Sequence, residues 1–186
     1  QSLATASVEQ TAQATAAATP SYTGSVSVSD TFAGMTGSGS SSQTSAADGT
    51  SISVNAAANM SSDNSVCTSG LFQSCVELNQ GLTAFQANFC LGQPTTYTIS
   101  GSAVASATET TDFSSVAVLS ISSLTSMMDF VNIQASPGDS IPISMDLMLP
   151  ADCYEFDVEV YADTLGQVSA SGTSAASCNV QFSPSQ

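Results

Sequence analysis

The sequence contains no Lys, Arg, His or Trp, so every charged side chain is an Asp or a Glu. These 15 residues give a formal net charge of -15, and no ion pair between side chains can form. A protein without cations cannot neutralise phosphates, which excludes nucleic-acid binding, and an anionic membrane surface repels it. The same absences exclude catalytic centres that need a His base, a P-loop Lys or a Schiff-base amine.

Aromatic residues are scarce, at 6% of the chain, and the lack of Trp argues against a sugar-stacking cleft. The chemistry that remains is carboxylate catalysis or metal-assisted chemistry with oxygen ligands. The Asp-Thr-Gly and Asp-Ser-Gly tripeptides of aspartic proteases do not occur, so we expect a protein that is not an enzyme. No run of about 18 apolar residues is present, so no membrane insertion is expected.

The five cysteines follow none of the zinc-site spacings, which favours disulfides. We pair Cys67 with Cys75, which enclose a short polar loop, and Cys153 with Cys178, which flank the last part of the chain. Cys90 is then left over, either as a buried thiol or as a link between molecules. Gln at position 1 and the disulfides together lead us to expect an exported, processed protein, extracellular or at the cell surface.

The first 18 residues alternate between small apolar and polar side chains. As a strand, this segment would have one small apolar face and one polar face, while a helix and a disordered leader remain alternatives. An extended segment of this length spans roughly 60 Å, too long to pair only with its own domain. We expect residues 1–20 to form an arm that fills a groove in a neighbouring copy. The expected contact residues are Ala4, Ala6, Val8, Ala12, Ala14, Ala16 and Ala18.

Residues 21–186 are expected to form one all-β domain, an antiparallel β-sandwich or jelly roll, because short alternating segments are separated by turn residues. The clearest predicted hairpin joins residues 141–149 to 153–161. Residues 34–49, rich in Gly, Ser and Thr, are predicted to be a flexible surface loop. The spacing of apolar residues in 71–82 allows a short helix. Further strands are expected at residues 21–29, 50–56, 85–91, 95–105, 113–122, 130–135 and 178–182.

Three carboxylates, Glu155, Asp157 and Glu159, recur at every second position and therefore share one face of the predicted strand. This row is expected to be a solvated face that discourages edge-to-edge aggregation, with a calcium site as the alternative. Calcium is the one cofactor that the sequence suggests. Asn59-Met60-Ser61 fits a glycosylation pattern in a predicted loop.

Two stretches resemble exported bacterial surface proteins of the PEP-CTERM class, FCLGQPTTYTISG at residues 89–101 and LPADCY at residues 149–154. The class usually has Gly in place of Asp152, and its Pro-Glu-Pro sorting tail is missing here. The resemblance covers about the C-terminal half and implies an exported, often glycosylated surface or matrix protein. The alternating arm on a β-sandwich is similar to donor-strand fibre subunits, in which one chain's strand fills the next chain's groove.

The sequence thus predicts a structural subunit of an extracellular filament or surface sheath. Its partners would be copies of itself, joined into a homopolymer by donation of the N-terminal strand. The competing hypothesis is a monomeric secreted module that binds calcium or a glycan and has a disordered leader. A carboxylate-dependent glycosidase is a third hypothesis.

Overall fold

The structure, a computed structural model, describes residues 4–14, 21–32, 35–48, 50–63, 77–108, 113–164 and 171–185. These residues form eleven strands and no helix. In chain order the strands are β1 (Ala4–Ala14), β2 (Ser21–Phe32), β3 (Met35–Ala47), β4 (Ile52–Asp63), β5 (Glu77–Cys90), β6 (Thr95–Ala107), β7 (Phe113–Ser123), β8 (Asp129–Ala135), β9 (Ser140–Leu149), β10 (Cys153–Thr164) and β11 (Gly172–Pro184).

The strands form two sheets that pack face to face. One sheet has the order β1-β5-β10-β7-β8, and the other has the order β2-β3-β4-β11-β6-β9. Among the described strands every pair is antiparallel except β1 with β5. The predicted all-β sandwich is confirmed, whereas this strand order does not establish the jelly-roll form.

The core lies between the sheets because the strands alternate buried and exposed positions. On β10 the residues predicted to point inward, Tyr154, Phe156, Val158 and Val160, are fully buried. Aromatic rings meet across the sheets, with Phe156 of β10 against Phe182 of β11 at a centroid distance of 5.5 Å. Such ring pairs contribute about 0.5–1.5 kcal/mol each beyond their buried area.

Residues 34–49, predicted to be a flexible loop, contain the strand β3, so that prediction is wrong. Inner positions of β3 are buried, among them Gly39, Ser41 and Gln43, and outer positions such as Ser42 and Thr44 are exposed. Both faces carry small or polar side chains, so the period of two has no hydrophobic signal. The strand forms because its neighbours β2 and β4 pair with it on both sides.

The predicted hairpin of residues 141–149 with 153–161 is also wrong, although both segments are strands. β9 pairs with β6 in one sheet, and β10 pairs with β5 and β7 in the other. The connection crosses between the sheets and is held by its own polar groups. The Tyr154 hydroxyl donates to the Pro150 carbonyl at 2.8 Å, and the Leu91 N–H donates to the Asp152 carbonyl at 2.8 Å.

The helix allowed for residues 71–82 is not found where the structure can test it. Residues 71–76 lie outside the described residues, and residues 77–82 belong to β5. This strand has a partner on each side, β1 and β10, and pairing on both sides overrides the helical spacing.

Gly101 in β6 is required by the close approach of β11. Its φ of 147° lies in a region that L-residues rarely adopt, and a Cβ there would collide with the Asn179 carbonyl oxygen. We therefore attribute this glycine of the FCLGQPTTYTISG stretch to sheet packing.

Candidate strand-exchange cleft

The N-terminal strand β1 is the edge strand of the five-stranded sheet and pairs with β5 over all of its 11 residues. The pairing is parallel, from Ala4 opposite Glu77 to Ala14 opposite Ala87. β1 also contacts β2 and β3 of the facing sheet. It therefore closes one side of the sandwich, and we call the space that it fills the arm cleft.

The register relates positions of the arm to buried positions of β5. Its even-numbered positions lie opposite the odd-numbered positions of β5, of which Gly81, Thr83, Phe85 and Ala87 are buried. The contact residues predicted from the sequence that fall in β1 are Ala4, Ala6, Val8, Ala12 and Ala14. Ala16 and Ala18 lie outside the described residues.

The arm was expected to be too long to pair only with its own domain, yet its described part does pair with its own β5. The strand assignment is therefore correct over Ala4–Ala14, and the alternative of a helix is not found there. Donation of the arm to a second copy stays a prediction.

One wall of the arm cleft is a buried polar network. The Thr83 hydroxyl donates to the Gln43 side-chain oxygen at 3.1 Å, and the Gln43 amide nitrogen donates to the Ser45 hydroxyl at 3.1 Å. Ser41, on the same inner face of β3, has a buried hydroxyl without a hydrogen-bond partner among the described residues. Sequence reasoning missed this network because residues 34–49 are predicted to be a loop, and both faces of β3 are polar, so no alternation of chemistry marks its buried side.

The two sheets approach closely at this cleft. A Cβ on Gly81 would lie 3.1 Å from the Ser40 carbonyl oxygen and 3.6 Å from the Ala58 Cβ atom. Only a residue without a side chain fits β5 at this point unless β3 shifts. The cleft therefore favours strands with small side chains, which is the composition of the arm.

Large apolar side chains lie mainly on strands other than β1. Phe85 on β5 contacts Phe156 on β10 edge to face, with centroids 6.2 Å apart, and Tyr97, Phe182 and Leu119 come from β6, β11 and β7. Because burial of such side chains provides most of the folding free energy, we expect the body to fold without the arm.

A disulfide lies on the side of β5 that faces away from β1. Cys90, the last residue of β5, is bonded to Cys153, the first residue of β10 and its register partner. The pairing of Cys153 with Cys178 is therefore wrong, because Cys178 is a free thiol buried in the core. The order of strands, which decides which cysteines meet, could not be inferred from the sequence. Cys67 and Cys75 lie outside the described residues.

This disulfide joins the two stretches that resemble PEP-CTERM proteins, and Asp152 organises the surrounding loops. The Asp152 carboxylate accepts hydrogen bonds from the Ser123 hydroxyl at 2.7 Å, the Thr125 hydroxyl at 2.6 Å and the Cys153 N–H at 2.8 Å. These bonds, led by the one from Thr125, lower the pKa of the carboxyl group. Asp152 is thus a structural residue that no sequence pattern identified. A disulfide indicates an oxidising, non-cytoplasmic environment.

The predicted carboxylate row lies on the outer face of β10, as expected from its spacing. The Gln86 side-chain nitrogen donates a hydrogen bond to Glu155. Asp157 is half-buried, and this burial, with the neighbouring charges of Glu159 and Glu155, raises its pKa to about 6. Within the described residues no group of three or more Cys, Asp or Glu side chains is arranged to hold a metal ion. A calcium site at Glu155, Asp157 and Glu159 gains no support from this geometry.

Asn59, the predicted glycosylation acceptor, lies in the strand β4, so the expected loop context is wrong. Its side chain is nevertheless exposed on the outer face of the six-stranded sheet, beside Ala175 of β11 and Ser40 of β3. Glycosylation at this residue stays a prediction.

Comparisons with family models, with curated proteins and with solved structures find no match to this chain. In the part of the chain that the structure describes, no helix is long and apolar enough to cross a membrane. The functional argument therefore depends on the geometry of the arm cleft.

Proposed function

We propose that this protein is a structural subunit of an extracellular filament or surface sheath, a homopolymer in which β1 of one copy fills the arm cleft of the next. One observation carries the proposal, the position of β1 as an N-terminal edge strand that pairs with β5 and no other strand of its sheet. Because all copies have the same sequence, β1 of a second copy can form the same 11 register pairs with β5.

The topology supports exchange because β1 and the next strand belong to different sheets. β1 lies on β5 in the five-stranded sheet, whereas β2 lies on β3 in the six-stranded sheet. Detaching β1 therefore breaks one ladder of the five-stranded sheet and leaves the β2–β3 ladder intact. A strand donated head to tail makes a heterologous contact, which need not close and so extends into a fibre.

A crosslink between register partners tests where the arm lies. Gln13 is opposite Gln86, and cysteines at paired strand positions fall within disulfide distance. Gln13→Cys with Gln86→Cys in one chain should give a ladder of linked oligomers on a non-reducing gel, which reductant converts to monomer. Each single variant is the control. A crosslinked monomer alone would contradict the proposal.

Deletion of residues 1–18 gives a second test. The truncated protein should fold, form no arm-linked filaments, and bind a synthetic peptide of the arm sequence. If the truncated protein still forms the same assemblies, the arm is not the connecting element.

The monomeric secreted module remains the second candidate, because the intrachain β1–β5 pairing is what a monomer would show. In that case the arm is an ordinary edge strand, and the crosslinked monomer is the expected product. A glycan is the better ligand class to try for this candidate, since the carboxylate row offers no assembled metal site among the described residues.

A further inference from the structure

The outer face of the six-stranded sheet is covered with short uncharged polar side chains, and we call it the hydroxyl face. One cross-strand row runs through Thr23, Thr44, Asn55, Asn179 and Ser102 on five neighbouring strands. All but Ser102, which is half-buried, are exposed. The adjacent rows on the same five strands mix such polar residues with small apolar ones, Ala46 in one row and Ala57 and Val104 in the other, and they are also uncharged.

Few carboxylates lie on the hydroxyl face. Among the described side chains on it, the carboxylates are Asp63, at the last residue of β4, and Asp146, on the edge strand β9. The outer face of the other sheet has Glu155, Asp157 and Glu159 along its central strand. In a chain with a net charge of -15 and no cation, two copies repel each other least through the hydroxyl face.

The area of the face is comparable to that of a standard protein interface. Six strands about 4.8 Å apart give a width of roughly 24 Å, and the 12 residues of β4 give a length of about 40 Å. The product, roughly 1,000 Å², exceeds the ~800 Å² per partner of a standard protein interface. A groove of about 540 Å³ near Ser38 and Asn59 is lined by uncharged residues of β2, β3, β4 and β11, so it has no anchor for an ionic ligand.

We propose that the hydroxyl face pairs with the hydroxyl face of a second copy, by sheet-on-sheet contact with hydrogen bonds among Ser, Thr and Asn side chains. The face has no aromatic anchor, so each contact is weak. Repeated along a filament, such contacts would act together and bundle filaments laterally. This pairing does not require the arm, and so it stands independently of strand exchange.

An isosteric change adds charge to the centre of the face without changing its shape. Asn55→Asp with Asn179→Asp alters two exposed register partners on the central strands β4 and β11. The matched control is Asn132→Asp, an exposed strand asparagine on the outer face of the five-stranded sheet. Equal thermal unfolding of all variants confirms that they are folded.

The measurement is sedimentation equilibrium of the full chain at about 0.5 M NaCl, which screens the net charge. The wild type and Asn132→Asp should form face-paired species, and the double variant should dissociate with a Kd higher by about tenfold or more. If filaments form, the double variant should give single filaments where the wild type gives bundles.

Three results would overturn the proposal. The first is a wild type without face pairing up to its solubility limit, and the second is an equal loss of pairing in Asn132→Asp. The third is a wild type that does not self-associate but is retained on an insoluble β-glucan, when the double variant is not retained and Asn132→Asp still is. That result would assign the face to a glycan.

Discussion

Removal of the Cys90–Cys153 disulfide should destabilise the protein substantially. The two cysteines are separated by 63 residues along the chain, and closing a loop of that size in the unfolded state corresponds to about 4 kcal/mol in the chain-entropy model. Domains of this size have unfolding free energies of about 5–15 kcal/mol. The double variant Cys90→Ser with Cys153→Ser should therefore retain its fold with a Tm lower by about 10 °C.

Urea unfolding followed by circular dichroism measures this loss. The double variant isolates the bond better than reductant does, because Cys67 and Cys75 lie outside the described residues and reductant would also act on any bond between them. Cys178 is a buried free thiol, so it should stay unreactive toward alkylating reagents until unfolding in both proteins. A difference below about 1 kcal/mol at an unchanged m-value would refute the entropic reasoning.

Three other perturbations test separate parts of the structure. Because the pKa of Asp157 is raised to about 6 from 3.8, its cost to stability is absent below pH 3.8 and fully present above pH 6. Asp157→Asn should thus raise the free energy of unfolding by about 1 kcal/mol at pH 8, after discounting for solvent screening of a half-buried group. Near pH 3.5, urea unfolding should show no gain. An equal gain at both pH values would contradict the electrostatic cause. Val8→Asp should weaken binding of the arm, because its register partner Gly81 is buried. Thr11→Asp should weaken binding less, because its register partner Ala84 is only half-buried. Equal effects of the two changes in a peptide-binding titration would exclude the assigned register. Assemblies should tighten as salt rises, because identical anionic chains repel each other; light scattering that falls on addition of moderate salt would argue against this.

The sequence is informative wherever burial and exposure alternate with a change of chemistry. β10 was located correctly because Tyr154, Phe156 and Val158 alternate with carboxylates, and β1 because alanines alternate with polar residues. β3 was missed because Ser, Gly and Gln occupy both of its faces. The physical cause is that its inner face is buried against the arm cleft, where polar groups bond to each other through Gln43 instead of meeting large apolar side chains.

The pairing of elements could be inferred less well than the elements themselves. Residues 150–152 have the composition of a hairpin turn, yet they cross between the sheets. There Asp152 accepts hydrogen bonds from Ser123, the last residue of β7, and from Thr125 in the turn that follows. The disulfide partner of Cys153 followed from that crossing, because it places β10 beside β5. The arm was predicted as a strand from its own pattern, but its partner β5 depends on this strand order.

If the arm is exchanged, the disulfide lies where it would resist a mechanical load on β5. A donated arm would pull on β5 along the strand direction, so that the hydrogen bonds of the parallel β1–β5 ladder are loaded together and not one after another. The same load reaches the antiparallel ladder between β5 and β10, whose last register pair is the covalent bond from Cys90 to Cys153. That bond prevents β5 from sliding past β10, which pairs in turn with β7 inside the sheet. If the arm is donated, the acceptor strand β5 is thus held covalently on the side opposite the arm cleft, while the contacts of the cleft itself are noncovalent.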